Sequence, residues 1–356
     1  MTSTIMERLE KGEFVLIAEI GVNYYDIATK LNITNMEAAK LMIKEARAAG
    51  IHAVKFQTYK AGTLAAKASP YYWDITEEPT RSQYELFCKF DSFGYKEYKE
   101  LKEYSDEVGI EFLSTAFDFE SADYLDELMN VYKISSSDLS NIPFIEYQAK
   151  KNKPILLSVG ASNEDEIDRA LKAIRDNTDA PVSLLHCVLE YPTPLEDANL
   201  LKIASLKEKY KDVYIGYSDH TKPTEDCDVI KTAYNLGAQL VEKHFTLDKT
   251  LKGNDHYHAM APEDAVNILD AIKRMDMLRG NGSLRCLDTE GKARSNARRS
   301  IVSACDIKEG TVITSEMLTY KRPGTGISPD RINEVIGKTA VAFIADDTIL
   351  SADMLK

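Results

Sequence analysis

The stretch VYIGYSDHTKPTEDCDVIKTAYNLGAQLVEKHF (213–245) contains two short apolar runs, each with a histidine at or next to its C-terminal end. The first run ends in His220, and the second has His244 as its last residue but one. Both runs have the composition of β-strands, and consecutive parallel strands lie side by side. We therefore expect the two imidazoles to lie close enough to bind one divalent cation. The spacing is too long for a helical His-x-x-x-His site, so the fold would have to build this metal site.

Six similar runs precede this stretch, and helical patterns alternate with them. The eight runs are 14–21, 52–57, 110–115, 131–136, 154–159, 182–187, 213–218 and 240–245. They are almost continuously apolar, which is typical of parallel strands that are buried on both faces. The helical patterns include 35–50, which begins with a capping box of Thr34 and Glu37, and the segments 162–175 and 262–280. Eight β-α units over about 280 residues predict a (β/α)8 TIM barrel rather than an open doubly wound sheet, because no Gly-rich turn follows the first run.

The pattern changes at the end of the last predicted helix. We expect residues 1–281 to form the barrel and the polar, basic residues 282–297 to form a linker. Residues 298–356 contain short β-like pieces separated by turn signals. They are too few for another barrel repeat, so they predict a separate small β-rich domain.

The composition narrows the class of protein. A net charge of -13 argues against a nucleic-acid partner, because a phosphate backbone requires a basic surface. A few lysines in a cleft can still attract a small anion. The five cysteines include no Cys-x-x-Cys pair, which predicts a reducing compartment and no disulfide framework. The N-terminus has no apolar signal core and no stretch is long enough to span a membrane, so we expect a cytoplasmic protein without membrane association.

Polar side chains stand at the C-terminal ends of the predicted strands, where TIM barrels build their active sites. They are Glu19, Lys55, Gln57, Thr115, Lys133, Ser136, Asp138, Ser158, Cys187, Ser218, Asp219, His220 and His244. A buried lysine needs partners, so two lysines with several hydroxyls and two histidines indicate an anion pocket beside a metal. We expect a structural role for His186, and for His256 and His258 a surface loop is favoured over metal ligation.

Several of these segments resemble the sialic acid synthases, which condense phosphoenolpyruvate with an acetamido sugar to make N-acetylneuraminate, legionaminate or pseudaminate. The matching segments are IAEIGVN (17–23), VKFQTYK (54–60), FLSTAFD (112–118), YKISSSDLSNIPFI (132–145), LLHCVLEYPTPLEDANL (184–200), IGYSDHT (215–221) and EKHFTLD (242–248). The C-terminal segment ARRSIVSACDIKEGTVITSEMLTYKRPGTGIS is similar to the antifreeze-protein-like (SAF) domain of those enzymes. The resemblance covers nearly the whole chain, in order.

The resemblance implies roles for individual residues. It matches His220 and His244 to the metal ligands, and the metal is typically Mn²⁺, with Mg²⁺ or Co²⁺ able to serve. The positions that grip phosphoenolpyruvate match Lys55, Lys133, Thr115, Ser136, Ser158 and Ser218. The positions around the sugar and the reacting water match Glu19, Gln57, Asp138, Tyr191 and Asp255. Arg322 matches an SAF-domain arginine that reaches the sugar site of the partner in a domain-swapped homodimer.

The implied chemistry explains these residue types. Carbon 3 of phosphoenolpyruvate is a weak nucleophile, so a metal must polarise the sugar aldehyde as a Lewis acid. Lys55 and Lys133 would offset the carboxylate and phosphate charges, and Glu19 or Asp138 would steer the attacking water. We count the two lysines, these two carboxylates and both metal-binding histidines as catalytic.

The chain departs from the family pattern at Tyr24, where a histidine is common, at Leu189 and at Asp138. We expect these changes to alter the substrate pocket. They leave the sugar open between N-acetylmannosamine and a 2,4-diacetamido-6-deoxyhexose. Two other functions also stay open. One is a Schiff-base aldolase of the neuraminate lyase type, with Lys133 as nucleophile. The other is a sugar-binding protein without catalysis.

Overall fold

The first part of the chain folds into a closed barrel of eight parallel strands, which confirms the predicted (β/α)8 architecture. The structure, a computed structural model, describes residues 3–253 and 255–356. The strands are hydrogen-bonded in chain order, and the eighth also pairs with the first. They are β1 Val15–Gly21, β2 Ala53–Thr58, β3 Glu111–Ala116, β4 Tyr132–Ile134, β5 Ile155–Ser158, β6 Val182–His186, β7 Tyr214–Asp219 and β8 Leu240–His244.

Helices separate the strands and cover the outside of the barrel. They are α1 Thr4–Glu10, α2 Tyr24–Leu31, α3 Asn35–Ala48, α4 Ala61–Leu64, α5 Gln83–Lys89, α6 Tyr95–Val108, α7 Phe119–Asp126, α8 Ile142–Ala149, α9 Glu164–Arg175, α10 Leu201–Lys209, α11 Asp228–Leu236 and α12 Pro262–Arg279. The predicted capping box is present at α3, where Thr34 accepts from the Glu37 backbone N–H and Glu37 accepts from that of Thr34. This exchange satisfies two N–H groups that have no partner within the helix.

β4 is shorter than the predicted strand 131–136. After Ile134 the chain turns into a 3₁₀ helix, Ser136–Asp138, which begins with the Ser135 hydroxyl accepting from the Ser137 N–H. Ser and Asp favour such turns because their side chains bond to nearby backbone groups. The turn therefore moves Ser136 and Asp138 off the strand and onto the loop that follows it.

The strand register brings the polar residues to one level of the barrel. Glu19 on β1 is the Cα partner of Lys55 on one side and of His244 on the other. Thr115 on β3 is the partner of Lys133 on β4. Residues that are paired in register on neighbouring strands face the same side of the sheet, so this register gathers charged groups at one end of the barrel.

The second part of the chain is a compact unit of its own, with the boundary between Arg279 and Gly280. It contains α13 Gly291–Ala297 and an antiparallel pair, β9 Ser300–Ser303 and β10 Leu318–Lys321. Its short 3₁₀ helices are Asp288–Glu290, Ser315–Met317, Pro329–Glu334 and Ala352–Met354. The core contains Ile301, Ile307, Ile313, Val335, Ala340, Ile344, Leu350 and Leu355. This small β-rich unit agrees with the prediction, and the predicted linker 282–297 contains helix α13.

Among the described residues, no helix combines the length and the apolar character that a membrane span requires.

Candidate active site

A cavity opens at the C-terminal ends of the barrel strands, where the sequence predicts the site. It encloses about 850 Å³ including its open mouth, which suits a small-molecule substrate. Twelve of the predicted site residues line it together: Glu19, Lys55, Gln57, Thr115, Lys133, Ser136, Ser158, Tyr191, Ser218, His220, His244 and Asp255. Cys187 lines it as well. Residues from nearly every strand therefore meet in one cavity.

Two predicted site residues are not brought into this cavity. Asp138 lies outside the set of described residues that line it, and its carboxylate accepts a hydrogen bond from Asn141 Nδ2 at 3.2 Å. The 3₁₀ turn after β4 carries Ser136 into the cavity wall but not Asp138. Burial raises the pKa of Asp138. Arg322 is an exposed residue of the second unit, directly after β10.

Two lysines and two carboxylates form a buried cluster at the floor of the cavity. Lys55 Nζ lies 2.5 Å from Glu19 Oε2 and 3.8 Å from Glu242 Oε1. Lys133 Nζ lies 3.7 Å from the same Glu242 oxygen. Gln57 Nε2 donates to Glu19 Oε1 at 2.8 Å, and Lys55 donates to Thr115 Oγ1 at 3.1 Å. All four charged side chains are nearly excluded from solvent, so their charges are compensated mainly by one another.

The sequence reasoning missed Glu242. It occupies the middle of β8, two residues before His244, and accepts from Ser218 Oγ at 3.3 Å. The signal was available, because an acidic residue in a strand buried along its whole length requires a cationic partner. Lys55 and Lys133 are these partners.

The protonation states in the cluster follow from burial and from neighbouring charges. Burial raises the pKa of Glu19 to about 7, although Lys55 opposes the shift. Burial would also raise the pKa of Glu242, but Lys133 and Lys55 outweigh it and hold that pKa below its usual value. Burial lowers the pKa of Lys133, against the attraction of Glu242. Of the two carboxyl groups in this cluster, Glu19 is thus the one that can take up or release a proton near neutral pH.

The two histidines of the opening stretch meet at the rim of the cavity. Their ring centres are 5.7 Å apart, and the Tyr191 ring lies 4.2 Å from His220 and 6.1 Å from His244. His220 Nδ1 lies 2.6 Å from the carbonyl oxygen of Val188 and therefore carries its proton there. This leaves Nε2 as the nitrogen with a free lone pair, as in many metal-binding histidines.

The prediction that His256 and His258 lie on a surface loop is wrong, because both are fully buried. The loop after β8 folds back over the barrel: the Met260 N–H donates to the His244 carbonyl at 2.7 Å. His256 is held by Thr246 Oγ1 at 2.8 Å and by Asp26 Oδ2 at 3.1 Å.

His258, by contrast, faces other candidate ligands. Its ring centre lies 4.9 Å from that of His244. Asp255 Oδ2 lies 3.8 Å from His244 Nδ1, and Asp255 Oδ1 lies 4.0 Å from His258 Nε2. One ligand atom from each of these three residues lies within 4.8 Å of the other two.

These residues fit a divalent cation. His244 Nδ1 and both ring nitrogens of His258 are buried without a hydrogen-bond partner among the described residues. Burial lowers the pKa of His220 to about 4, and burial with the neighbouring imidazoles holds the pKa of His244 well below its usual value. Neutral imidazoles with free lone pairs are the form that binds metals.

Aromatic side chains form the outer wall of the cavity. They are Tyr59, Tyr72, Phe87, Phe90, Phe117 and Tyr191. Tyr24, which the sequence assigns to the substrate pocket, is instead fully buried outside this wall. It stacks on Phe93 at 4.9 Å and packs edge-on against Phe56 at 5.9 Å. Its large ring fills the space between α2 and the barrel.

Comparisons with known proteins identify similar sequences and structures over nearly the whole chain. The NeuB family profile matches residues 42–283, and the SAF domain profile matches residues 298–356. The chain is 36% identical over 342 residues to the N,N'-diacetyllegionaminic acid synthase of Campylobacter jejuni, covering 94% of this chain and 98% of that protein. It is 30% identical over 345 residues to the N-acetylneuraminate-9-phosphate synthase of Homo sapiens, covering 94% and 91%. The solved structure of the N-acetylneuraminic acid synthetase from Leptospira borgpetersenii in complex with citrate has a TM-score of 0.67 and 31% identity, covering 79% of this chain and 90% of that one.

Proposed function

The chain belongs to the NeuB family of sialic acid synthases and carries an SAF domain, and from this premise we propose a metal-dependent condensation. The chain joins phosphoenolpyruvate to the aldehyde of an acetamido sugar and adds water, giving a nonulosonic acid and inorganic phosphate. One observation carries the proposal: two buried lysines stand on the floor of a cavity whose rim holds the neighbouring imidazoles of His220 and His244.

The lysine end of the cavity suits the anionic substrate. Lys55 and Lys133 supply positive charge, and the surrounding hydroxyls supply donors for phosphate and carboxylate oxygens. Ser158 Oγ supports this assignment, because it is buried without a hydrogen-bond partner among the described residues. A bound oxyanion would satisfy it. The other hydroxyls of this set are Thr115, Ser136 and Ser218.

The histidine end suits the sugar. His220 and His244 would hold the metal, with Asp255 beside them, and Mn²⁺ is the ion expected, with Co²⁺ or Mg²⁺ as substitutes. A bound divalent cation supplies Lewis acidity toward an aldehyde oxygen. Gln57 and Asp255 offer hydrogen bonds to the sugar, and the aromatic wall can pack against its acetamido methyl group. Binding both substrates in one cavity places carbon 3 of phosphoenolpyruvate against the aldehyde carbon.

Glu19 is the residue best suited to move protons in this reaction. The new carbon–carbon bond leaves an alkoxide that needs a proton and a cationic carbon 2 that water attacks. A carboxyl group whose pKa is raised to about 7 can donate the first proton and accept one from the water. The tetrahedral product then expels phosphate, while Lys55 and Lys133 offset its charge. Asp138, outside the cavity lining, is the weaker candidate.

The test is phosphate release from phosphoenolpyruvate with Mn²⁺. N-acetylmannosamine and its 2,4-diacetamido-6-deoxy relatives are compared as second substrates. We expect release that requires a sugar and stops with EDTA. Absence of release with every one of these sugars would refute the proposal.

A second function is favoured by one observation, the lowered pKa of Lys133, since a neutral amine is the nucleophile of a Schiff-base aldolase. Borohydride trapping with pyruvate separates the two reactions. A covalent adduct on Lys133, formed in the presence of EDTA, would establish the aldolase. We expect none.

We further propose a homodimer in which Arg322 of the second unit completes the sugar site of the partner. The exposure of this side chain supports the proposal. Replacement by Ala should raise the KM for the sugar and leave the KM for phosphoenolpyruvate unchanged. A monomer in sedimentation would contradict this arrangement.

A further inference from the structure

His258 is a buried histidine with no structural partner. Its side chain is 0% exposed, and neither ring nitrogen has a hydrogen-bond partner among the described residues. Two other buried histidines differ in this respect: His186 Nε2 lies 2.8 Å from the Ala198 carbonyl, and His256 has partners at both nitrogens. Buried polar groups without a partner are rare and point to a missing ion, ligand or water.

The unpartnered ring is directed at a group that could share an ion with it. Asp255 lies between His258 and His244, with one carboxylate oxygen 4.0 Å from His258 Nε2 and the other 3.8 Å from His244 Nδ1. These separations are too long for hydrogen bonds. They are somewhat longer than the roughly 3.0–3.4 Å between neighbouring ligand atoms that each lie about 2.1 Å from one metal, so a bound cation would draw the three side chains together.

We propose that His258 is a metal ligand, so that His258 and Asp255 join His220 and His244 in holding the divalent cation. This inference rests on the proposed function, because it specifies how that reaction's metal is bound. It adds a ligand that follows β8 on the returning loop to the pair assigned at the ends of β7 and β8. Three imidazoles and one carboxylate still leave positions of a six-coordinate cation open for substrate, as catalytic sites require.

The ligand set also predicts which metal is preferred. Imidazole ligands suit first-row transition-metal ions better than Mg²⁺, which favours oxygen ligands and keeps its waters, and the Asp255 carboxylate suits Mn²⁺. We therefore expect the protein to bind Mn²⁺ and Co²⁺ in an excess of Mg²⁺.

The test is a Mn²⁺ titration of the full chain without substrates, with free Mn²⁺ followed by its electron paramagnetic resonance signal. We expect His258→Ala to weaken Mn²⁺ binding at least about tenfold. His186→Ala is the matched control, since it removes an equally buried imidazole outside the cavity lining and should leave the affinity unchanged. His220→Ala provides the reference for loss of a family-matched ligand.

A purely structural role for His258 gives a different result. In that case His258→Ala lowers the thermal stability but binds Mn²⁺ as tightly as the unaltered chain, and the inference is overturned. His258→Gln preserves most of the volume and guards against misfolding: it too should lose Mn²⁺ affinity, and an unchanged affinity in this folded variant would also refute the inference. Phosphate release is measured separately, so tight Mn²⁺ binding through His258 without any release would refute the proposed function alone.

Discussion

Replacement of Glu242 by Gln tests whether one buried carboxylate holds the two cavity lysines in place. Glu242 Oε1 lies 3.8 Å from Lys55 Nζ and 3.7 Å from Lys133 Nζ. Gln has nearly the same size and keeps an acceptor for Ser218 Oγ, so the substitution removes charge and little else. Lys55 keeps Glu19 as a partner at 2.5 Å, whereas Lys133 forms no other ion pair among the described residues.

The magnitude follows from these distances. At an effective dielectric constant of about 20, each separation corresponds to about 4 kcal/mol of attraction. The loss of these two attractions is partly offset, because folding of the variant no longer removes the charge of Glu242 from water. Removal of one partner from a buried ion pair typically costs about 3–5 kcal/mol. For a domain of this size, that loss lowers the unfolding midpoint by about 10 °C.

The assay is thermal unfolding followed by circular dichroism, with and without inorganic phosphate and at several pH values. Phosphate should stabilise Glu242→Gln more than the unaltered chain, because it supplies the missing negative charge. The stability of the variant should also rise with pH. Lys133, whose pKa is already lowered by burial, then binds fewer protons in the folded state than in the unfolded state.

Glu111→Gln is the matched control. Glu111 is a largely buried carboxylate at the start of β3, where it accepts from the Ile5 N–H at 2.8 Å and forms no ion pair among the described residues. Its replacement should be insensitive to phosphate. The reasoning is refuted if Glu242→Gln unfolds within about 2 °C of the unaltered chain and phosphate stabilises both equally. A midpoint shift of about 2 °C corresponds to a loss of only about 1 kcal/mol, which is well below the expected cost.

Three further outcomes are expected. Gly160→Ala should raise the KM for phosphoenolpyruvate in steady-state assays. The added Cβ would lie 2.6 Å from Cys187 Sγ and 3.2 Å from Ser136 Oγ, and would displace the Ser136 hydroxyl. An unchanged KM would argue against Ser136 as a phosphate ligand. Lys133→Met should abolish phosphate release in the coupled assay while the chain stays folded, and retained turnover would remove Lys133 from the mechanism. Burial lowers the pKa of His52 to about 4. As the pH falls from about 6.5 to 4, the unfolded state therefore takes up a proton that the folded state does not, and the free energy of unfolding decreases by about 3 kcal/mol. His52→Gln should flatten this acid limb in melting curves, and an identical limb would contradict it.

The fold was predictable because buried parallel strands leave a strong signal. The eight apolar runs needed no tertiary information, and the Thr34 capping box marked a helix start by local chemistry alone. Strand ends were harder: β4 stops at Ile134 because the serines that follow it bond to their own backbone. That turn decided which residue enters the cavity, and it separated Ser136 from Asp138.

The site residues were predictable where they end a strand, and not where a loop returns to the barrel. His258 follows β8 by many residues, and its position depends on the contact between Met260 and His244 across the loop. The prediction that Tyr24 lies in the substrate pocket was wrong for the opposite reason. It follows a strand-end motif, yet its ring packs on Phe93, a residue far along the chain. A contact between two residues that are distant in the sequence produces no repeating pattern by which a single sequence could reveal it.

Closure of the barrel affects how the chain can fold while it is being synthesised. Glu19, on the first strand, pairs in register with His244, on the last. The carboxyl group therefore emerges from the ribosome long before the imidazole that stands beside it. A nascent chain that lacks β8 exposes two unpaired strand edges and leaves Lys133 without Glu242. Such contacts between distant parts of the sequence form late and slowly. A chain truncated before β8 lacks both Glu242 and His244, so it cannot assemble the charged cluster or the histidine pair of the cavity.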